Sequence, residues 1–145
     1  MEIIQVQKEH LDLVVGLFDA YRQYYGQKAD LEGAKNFLSE RLSLNESIIF
    51  LALEVDKPLG FTQLYPIFSS VSMQRQWVLN DLFVHEDARN LGIGKAILES
   101  AQKFIHHLGH KGLLLETTPD NEKAQKLYER LGWEREGNFY YYWKA

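Results

Sequence analysis

Apolar residues recur along the first half of the chain at two spacings, which predict where strands and helices lie. Residues 2–6 and 47–55 are short runs rich in apolar and β-branched residues, which is typical of strands. Residues 60–68 follow a turn at 56–60, so we expect them to pair antiparallel with 47–55. Between the first two runs, apolar residues recur every three or four positions and predict two helices. The first helix carries Leu11, Val14, Val15, Phe18, Tyr21 and Tyr25, and the second, after a candidate N-cap at Asp30, carries Leu31, Ala34, Leu38 and Leu42.

The second half predicts a strand–helix–strand unit and a closing hairpin. Residues 77–84, WVLNDLFV, form the strongest strand pattern, and the nearly all-apolar 112–118 is typical of a strand covered on both faces. A right-handed crossover should make these two strands parallel neighbours. Residues 133–144 are expected to form a hairpin around 136–138. The two helices of this half carry Ile97, Ala101, Phe104, Ile105 and Leu108, and Ala124, Leu127, Tyr128 and Leu131.

Length, charge and cysteine content narrow the classes of function. A chain of 145 residues suits one domain, which we expect to span 1–145. The formal net charge of −4 does not favour nucleic acid, and no apolar stretch approaches the length of a membrane helix. The chain has no cysteine, which excludes disulfides, thiolate metal sites and an acyl-cysteine intermediate. We expect a cytoplasmic protein, without a metal site at His106 and His110, because the helix ends between them at Gly109.

The stretch ARNLGIGKA, at 88–96, follows the strongest strand and precedes a helix. A helix N-terminus exposes unpaired N–H groups that bind anions, and glycine lets a phosphate approach the backbone. Gly92 and Gly94 are placed for such a turn, with Leu91 and Ile93 facing inward and Arg89 and Lys95 adding charge. One residue between the glycines does not fit a Walker loop, and Ile97 stands where a Rossmann fingerprint needs glycine.

Two segments together resemble the GNAT N-acetyltransferase superfamily. Residues 79–99 contain Arg-x-x-Gly-x-Gly at Arg89, Gly92 and Gly94, which matches the family signature Q/R-x-x-G-x-G/A. Residues 113–133 match the following strand and helix, with Asn121, Ala124 and Tyr128 at the family spacing. The first half has a compatible order of elements but no comparable signature.

The resemblance implies a fold, a reaction and a set of binding residues. The fold would be α/β (α+β), a mixed, mostly antiparallel sheet of about seven strands with a central βαβ unit and about four helices. The reaction would move an acetyl group from acetyl-CoA, the cosubstrate, to a primary amine of a small molecule, by direct attack in a ternary complex. Asn121 also fits a helix-starting turn. The cofactor-binding residues implied are Leu82, Phe83, Val84, Arg89, Asn90, Leu91, Gly92, Ile93, Gly94, Lys95 and Asn121.

Tyr128 and Asp81 are the catalytic candidates. The resemblance places Tyr128 beside the thioester sulfur as the proton donor, although its helical spacing also fits a core aromatic. Asp81 is the only acid on the central strand and is expected to share a face with Leu79 and Phe83. It would relay the amine's proton or else brace a loop, with Glu116 and His85 as further candidates.

The amine site and the assembly are less defined. Six residues can either line an aromatic, weakly polar pocket for the amine or serve only in packing: Tyr21, Tyr24, Tyr25, Gln63, Tyr65 and Phe68. The segment NFYYYWK, at 138–144, has five aromatics in seven residues and is expected to help form a homodimer. The alternative function is a non-catalytic acyl-CoA-binding sensor or partner module with the same fold.

Overall fold

The computed structural model describes residues 1–145 and contains five strands and four helices, with two short 3₁₀ turns at Lys8–His10 and Glu86–Ala88. Asp30 caps the second helix as expected, since its carboxylate accepts a hydrogen bond of 2.9 Å from the Gly33 N–H. In chain order the elements are β1 Glu2–Gln5, α1 Leu11–Tyr24, α2 Leu31–Ser43, β2 Ile48–Glu54, β3 Lys57–Ser69, β4 Gln74–Val84, α3 Ile93–Leu108, β5 Leu113–Leu114 and α4 Glu122–Arg130.

One sheet carries all the strands in the order β1-β2-β3-β4-β5. The first three pairs are antiparallel, and β4 pairs with β5 in parallel through the crossover helix α3. The mixed, mostly antiparallel sheet and its central βαβ unit are therefore confirmed. No helix is both long and apolar enough to cross a lipid bilayer.

Two apolar clusters cover opposite faces of the sheet. Helices α1 and α2 pack on one, here named the α1/α2 face, around Val14, Phe18, Leu38 and Phe61. Helix α3 packs on the other, named the α3 face, where α4 contributes partly buried residues including Tyr128. Strand β2 serves both clusters because successive side chains point to opposite faces.

The chain beyond α4 differs from the sequence-based expectation. Residues 133–144 form no hairpin, so the sheet has five strands instead of about seven, and β5 is confined to Leu113–Leu114. Aromatic residues favour strands only where a neighbouring strand takes up their backbone hydrogen bonds and side chains. Within this chain no strand pairs with 133–144, and the side chains from Phe139 to Trp143 are 70–95% exposed.

Candidate active site

Strands β4 and β5 separate soon after they meet. Their parallel pairing covers Trp77 with Leu113 and Val78 with Leu114, whereas β4 continues to Val84 beside β3 alone. The edge of β4 from 79 to 84 therefore faces an opening where β5 would otherwise run. Unpaired backbone groups on such an edge can bind an extended ligand as an added strand would.

A β-bulge lies at the start of this opening. Gln63 pairs with Asp81 and Leu64 with Leu79, so Asn80 is an extra residue in β4. The bulge reverses the alternation of side chains: Leu79 packs on the α3 face, but Phe83 packs on the α1/α2 face. Asp81 therefore does not share a face with Leu79, contrary to the expectation from simple alternation, because the extra residue shifts every later side chain.

Asp81 is almost completely buried and accepts hydrogen bonds on both carboxylate oxygens. The Gln63 amide donates to Oδ2 at 2.5 Å and the Asn80 amide donates to Oδ1 at 2.8 Å. Burial raises the pKa of Asp81, while the donors Gln63, Asn80 and Tyr21 oppose that rise. Asp81 is thus a stronger base than an exposed aspartate, and the side-chain amides of Gln63 and Asn80 hold its carboxylate in place.

The tyrosines at the end of α1 lie beside this carboxylate. The Tyr21 hydroxyl lies 3.5 Å from the Asn80 carbonyl, and its ring packs edge-on against Phe83 and Tyr25. Burial, followed by the Asp81 charge, raises the pKa of Tyr21. Tyr24 stands between Tyr25 and Phe83 and is largely exposed. These tyrosines could therefore line an aromatic cleft with the polar Asp81 at its base.

The two other aromatic candidates for the amine pocket, Tyr65 and Phe68, lie at different positions along β3. Tyr65 lines a depression of about 370 Å³ with Phe37, Arg41, Glu46 and Pro66. Burial, followed by the Asp81 charge, raises the pKa of Tyr65. Phe68 lies further along β3, is exposed and packs under the Arg75 guanidinium, so the structure does not bring it to the cleft.

The glycine turn joins β4 to α3 just beyond the opening. Gly92 is the N-cap of α3 with φ +78°, and no side chain accepts from the first-turn N–H groups. Asn90 also has a positive φ, of 64°. Ile93 is buried as expected, but Leu91 is 72% exposed, because the left-handed residue between them turns the chain. The amides at the start of α3 can therefore bind an anion.

Cationic side chains surround the turn and are partly engaged by the protein. Arg89 donates to the Val84 carbonyl at 3.1 Å and lies over the Phe83 ring, which ties the turn to β4. Lys95 lies 3.9 Å from Glu99 within α3. Lys123 of α4 bonds to the Asn90 side chain, a connection that the sequence reasoning missed because no spacing rule joins α4 to the turn.

Tyr128 lies on the side of α4 that faces the α3 cluster. It is half-buried, its ring lies 5.9 Å from that of Trp133, and its hydroxyl forms no hydrogen bond within the chain. Burial, with a smaller contribution from Tyr25, raises the pKa of Tyr128. The hydroxyl therefore stays protonated at neutral pH and is free to donate to a ligand.

The remaining candidates have structural partners or lie in solvent. The Asn121 side chain caps α4 by accepting from the Ala124 N–H at 3.4 Å, which supports the helix-start interpretation. Glu116 is exposed beyond β5, and His85 accepts from the Asp87 N–H at 3.3 Å. His110 accepts from the Trp77 indole at 2.9 Å, and no three potential metal ligands gather in the structure.

Comparison with known proteins matches this geometry to one family. The model of the acetyltransferase (GNAT) family matches residues 14–133, which is most of the chain. The chain belongs to the GNAT family. It is 44% identical over 142 residues to the uncharacterized N-acetyltransferase YhfO of Bacillus subtilis, covering 98% of this chain and 95% of that one. It is also 36% identical to a probable acetyltransferase of Haemophilus influenzae, covering 94% and 89%.

Solved structures agree with this assignment. The crystal structure of a probable acetyltransferase superposes with a TM-score of 0.92 at 41% identity, covering all of this GNAT chain and 97% of that one. An aminoglycoside acetyltransferase, AAC(6′)-Iy, in complex with a CoA-based bisubstrate analogue, superposes with a TM-score of 0.79, covering 99% and 97%. At 22% identity the second comparison shows the shared fold alone. Family membership and the acetyltransferases among the relatives support an acyltransferase enzyme.

Proposed function

We propose that residues 1–145 form a single N-acetyltransferase domain that moves the acetyl group of acetyl-CoA to a primary amine of a small molecule. The observation that carries this proposal is the alignment of three features along one opening. The free edge of β4 begins after Val78, the glycine turn lies at its far end, and Tyr128 of α4, whose hydroxyl has no hydrogen bond within the chain, lies near Tyr25. Each feature suits a different part of acetyl-CoA.

The glycine turn is suited to the diphosphate of acetyl-CoA. The N–H groups of Leu91 to Lys95 would donate to its oxygens, and Gly94 leaves the approach open, since no chain atom fills its Cβ position closer than 3.8 Å. Arg89 and Lys95 add charge at the rim, and Asn90 orients Lys123 there. The pantetheine arm would pair with the backbone of Leu82, Phe83 and Val84 and contact the Asn121 amide.

The acceptor must lose a proton before it can attack. An alkylammonium with a pKa near 10.4 is neutral in only about one part in a thousand at pH 7. Asp81 would receive its proton through Tyr21, whose hydroxyl lies 3.5 Å from the backbone carbonyl of the preceding residue, Asn80, and opposes the rise in the pKa of Asp81. The amine gives its proton to the Tyr21 oxygen while Tyr21 gives its own proton to Asp81, so the tyrosine is unchanged. Glu116 and His85 are less suited, because Glu116 is exposed to solvent and His85 Nδ1 already accepts from the Asp87 N–H.

The neutral nitrogen then attacks the thioester carbonyl in the ternary complex, and the carbon–sulfur bond breaks. Tyr128 would donate its proton to the departing thiolate, and the tyrosinate would then take up the second proton that the acylated nitrogen loses, so that Tyr128 is restored. The chain has no cysteine that could carry the acetyl group, which supports direct transfer.

An assay of free thiol release from acetyl-CoA over a panel of amines tests this proposal. The chain contributes no thiol of its own, so the signal reports CoA alone. The panel should include aminoglycosides, because structural neighbours carry that name, and simple aliphatic and aromatic amines. Thiol release that requires an amine supports the enzyme, and its absence across the panel counts against it.

A non-catalytic acyl-CoA sensor is the second candidate. The burial of Asp81, with both of its oxygens already bonded, favours this alternative, because such a carboxylate cannot touch an amine directly. A sensor would bind acetyl-CoA in calorimetry and release no thiol with any amine. The enzyme would do both.

A homodimer and a cytoplasmic location complete the proposal. The exposed aromatic side chains from Phe139 to Trp143 support association through the C-terminal segment, since exposed apolar area of this size favours a partner. Light scattering at micromolar concentration measures the assembly, and a monomeric mass would reject it. Imaging of the tagged protein in cells tests the location.

A further inference from the structure

A chain of buried polar side chains crosses three adjacent strands beneath the α1 tyrosines. Ser47 immediately precedes β2, Gln63 lies on β3 and Asp81 lies on β4. The Ser47 hydroxyl donates to Gln63 Oε1 at 2.7 Å, and Gln63 Nε2 donates to Asp81 Oδ2 at 2.5 Å. All three residues are buried, and Gln63 has no exposed surface at all. Buried polar side chains are costly unless paired, so this arrangement calls for an explanation.

The direction of the hydrogen bonds follows from the carboxylate. An ionised carboxylate only accepts, so Gln63 must present its NH₂ group to Asp81 and its carbonyl to Ser47. Ser47 satisfies that carbonyl, and a rotated amide would place two acceptors against each other. Ser47 and Asp81 thus fix one orientation of the Gln63 amide.

No cationic side chain pairs with the Asp81 carboxylate. None of the ion pairs in the structure includes Asp81, and the nearby Arg41 of α2 is paired with Glu40 and Glu46. The titratable groups that face Asp81 are Tyr21 from α1 and Tyr65 from β3, with Tyr25 beside Tyr21. Tyrosines are neutral at working pH, so the charge of Asp81 depends on hydrogen-bond donors instead of a counter-ion.

We infer that Gln63, held in one orientation by Ser47, is a positioning residue that keeps the Asp81 carboxylate ionised and aimed to receive the amine's proton. This inference rests on the proposed role of Asp81. It assigns a function to Gln63 and Ser47, whose side-chain hydrogen bonds join them to each other and to Asp81.

The pH profile of kcat/KM tests the inference through its acid-side limb. Gln63→Met keeps the length and shape of the side chain but removes the donor, so Asp81 should hold its proton to higher pH. The acid limb should move up by about one pH unit, from the usual strength of a hydrogen bond to a charged group. The carboxyl ¹³C shift of Asp81, followed by NMR, should move its titration in the same direction. Ser47→Ala should cause a smaller shift of the same sign, and Ser47→Thr should restore the wild-type limb.

Thr62→Val is the matched control. Thr62 is as buried as Gln63 and lies next to it on β3, but it donates at 2.7 Å to the backbone carbonyl of Asp81, not to its carboxylate. Its replacement should lower the melting temperature and leave the acid limb in place. A purely structural role for Gln63 predicts the same outcome for Gln63→Met.

The outcomes separate this inference from the proposed function. An unmoved acid limb and an unmoved Asp81 titration in folded Gln63→Met would overturn the positioning role. If that variant does not fold, the same two measurements on Ser47→Ala decide in its place. Wild-type activity with an unchanged limb in Asp81→Asn would instead overturn the role of Asp81, and the inference with it. Loss of the limb in Asp81→Asn with an upward shift in Gln63→Met supports both.

Discussion

Gly94 is the second residue of α3, and alanine at this position should have opposite effects on stability and on acetyl-CoA binding. A Cβ added to Gly94 would meet only Val84 Cγ2, at 3.8 Å, which is an ordinary contact. Unlike Gly92, Gly94 has no positive φ that would strain an alanine. Nothing inside the chain therefore requires glycine here, so we expect that its lack of a side chain serves the ligand.

The two effects can be estimated separately. Alanine at an unstrained helical glycine should raise the free energy of unfolding by roughly 0.5–1 kcal/mol, which corresponds to about 1–4 °C in Tm for a chain of this size. The new methyl group would lie between the amides and the diphosphate, and losing about 1.4 kcal/mol there weakens binding tenfold. Gly94→Val should weaken binding about a hundredfold or more, whereas Arg89→Ala removes a solvent-screened charge worth about 1 kcal/mol or less.

Isothermal calorimetry with acetyl-CoA and thermal unfolding without ligand measure the two effects. Gly16→Ala in α1 is the matched control, because a Cβ at Gly16 meets nothing within 4 Å and its φ is ordinary. It should stabilise the protein similarly and leave binding unchanged. Wild-type affinity in both Gly94→Ala and Gly94→Val would refute the glycine turn as the diphosphate site.

Three further predictions concern catalysis, pH and assembly. Tyr128→Phe should lower turnover about 10²-fold with little change in acetyl-CoA binding, and the loss of turnover should be smaller with acyl donors whose thiols are more acidic. Full turnover in this variant, where chemistry limits the rate, would mean that Tyr128 only packs in the core. Burial raises the pKa of Asp81, so wild-type stability should fall as pH rises from the ordinary aspartate value through the raised one. Asp81→Asn has no carboxyl to titrate, so its free energy of unfolding, measured by chemical denaturation, should rise relative to that of wild type as the pH increases. A difference that stays constant with pH would argue against a raised pKa for Asp81. Deleting residues 139–145 should leave a folded monomer by light scattering, and an unchanged oligomer would place the interface elsewhere.

The features predicted well from the sequence are those decided by local chain geometry. The spacing of apolar residues predicts α1, α2 and α3, and Asp30 caps α2 because its side chain reaches an amide three residues on. The glycine turn is also local, since Gly92 lies where the chain was expected to turn into a helix and is the N-cap of α3. Such features need no knowledge of the neighbouring strands.

The features that escaped prediction depend on how distant segments pair. The bulge at Asn80 appears only when β3 and β4 are aligned, and it alone decides which face Asp81 occupies. The Gln63–Asp81 hydrogen bond joins residues 18 positions apart through that same register. Residues 133–144 have strand-like composition but no partner strand in the chain, so their local pattern was misleading. All three depend on which distant segments pair as strands, which local sequence patterns do not specify.

A crystal structure of the protein with acetyl-CoA tests the central claim most directly. The account predicts the diphosphate on the amides of Leu91 to Lys95, the pantetheine arm along β4 from Leu82 to Val84, and the thioester sulfur within hydrogen-bonding distance of the Tyr128 hydroxyl. A diphosphate bound away from the glycine turn, or a sulfur out of reach of Tyr128, would contradict it.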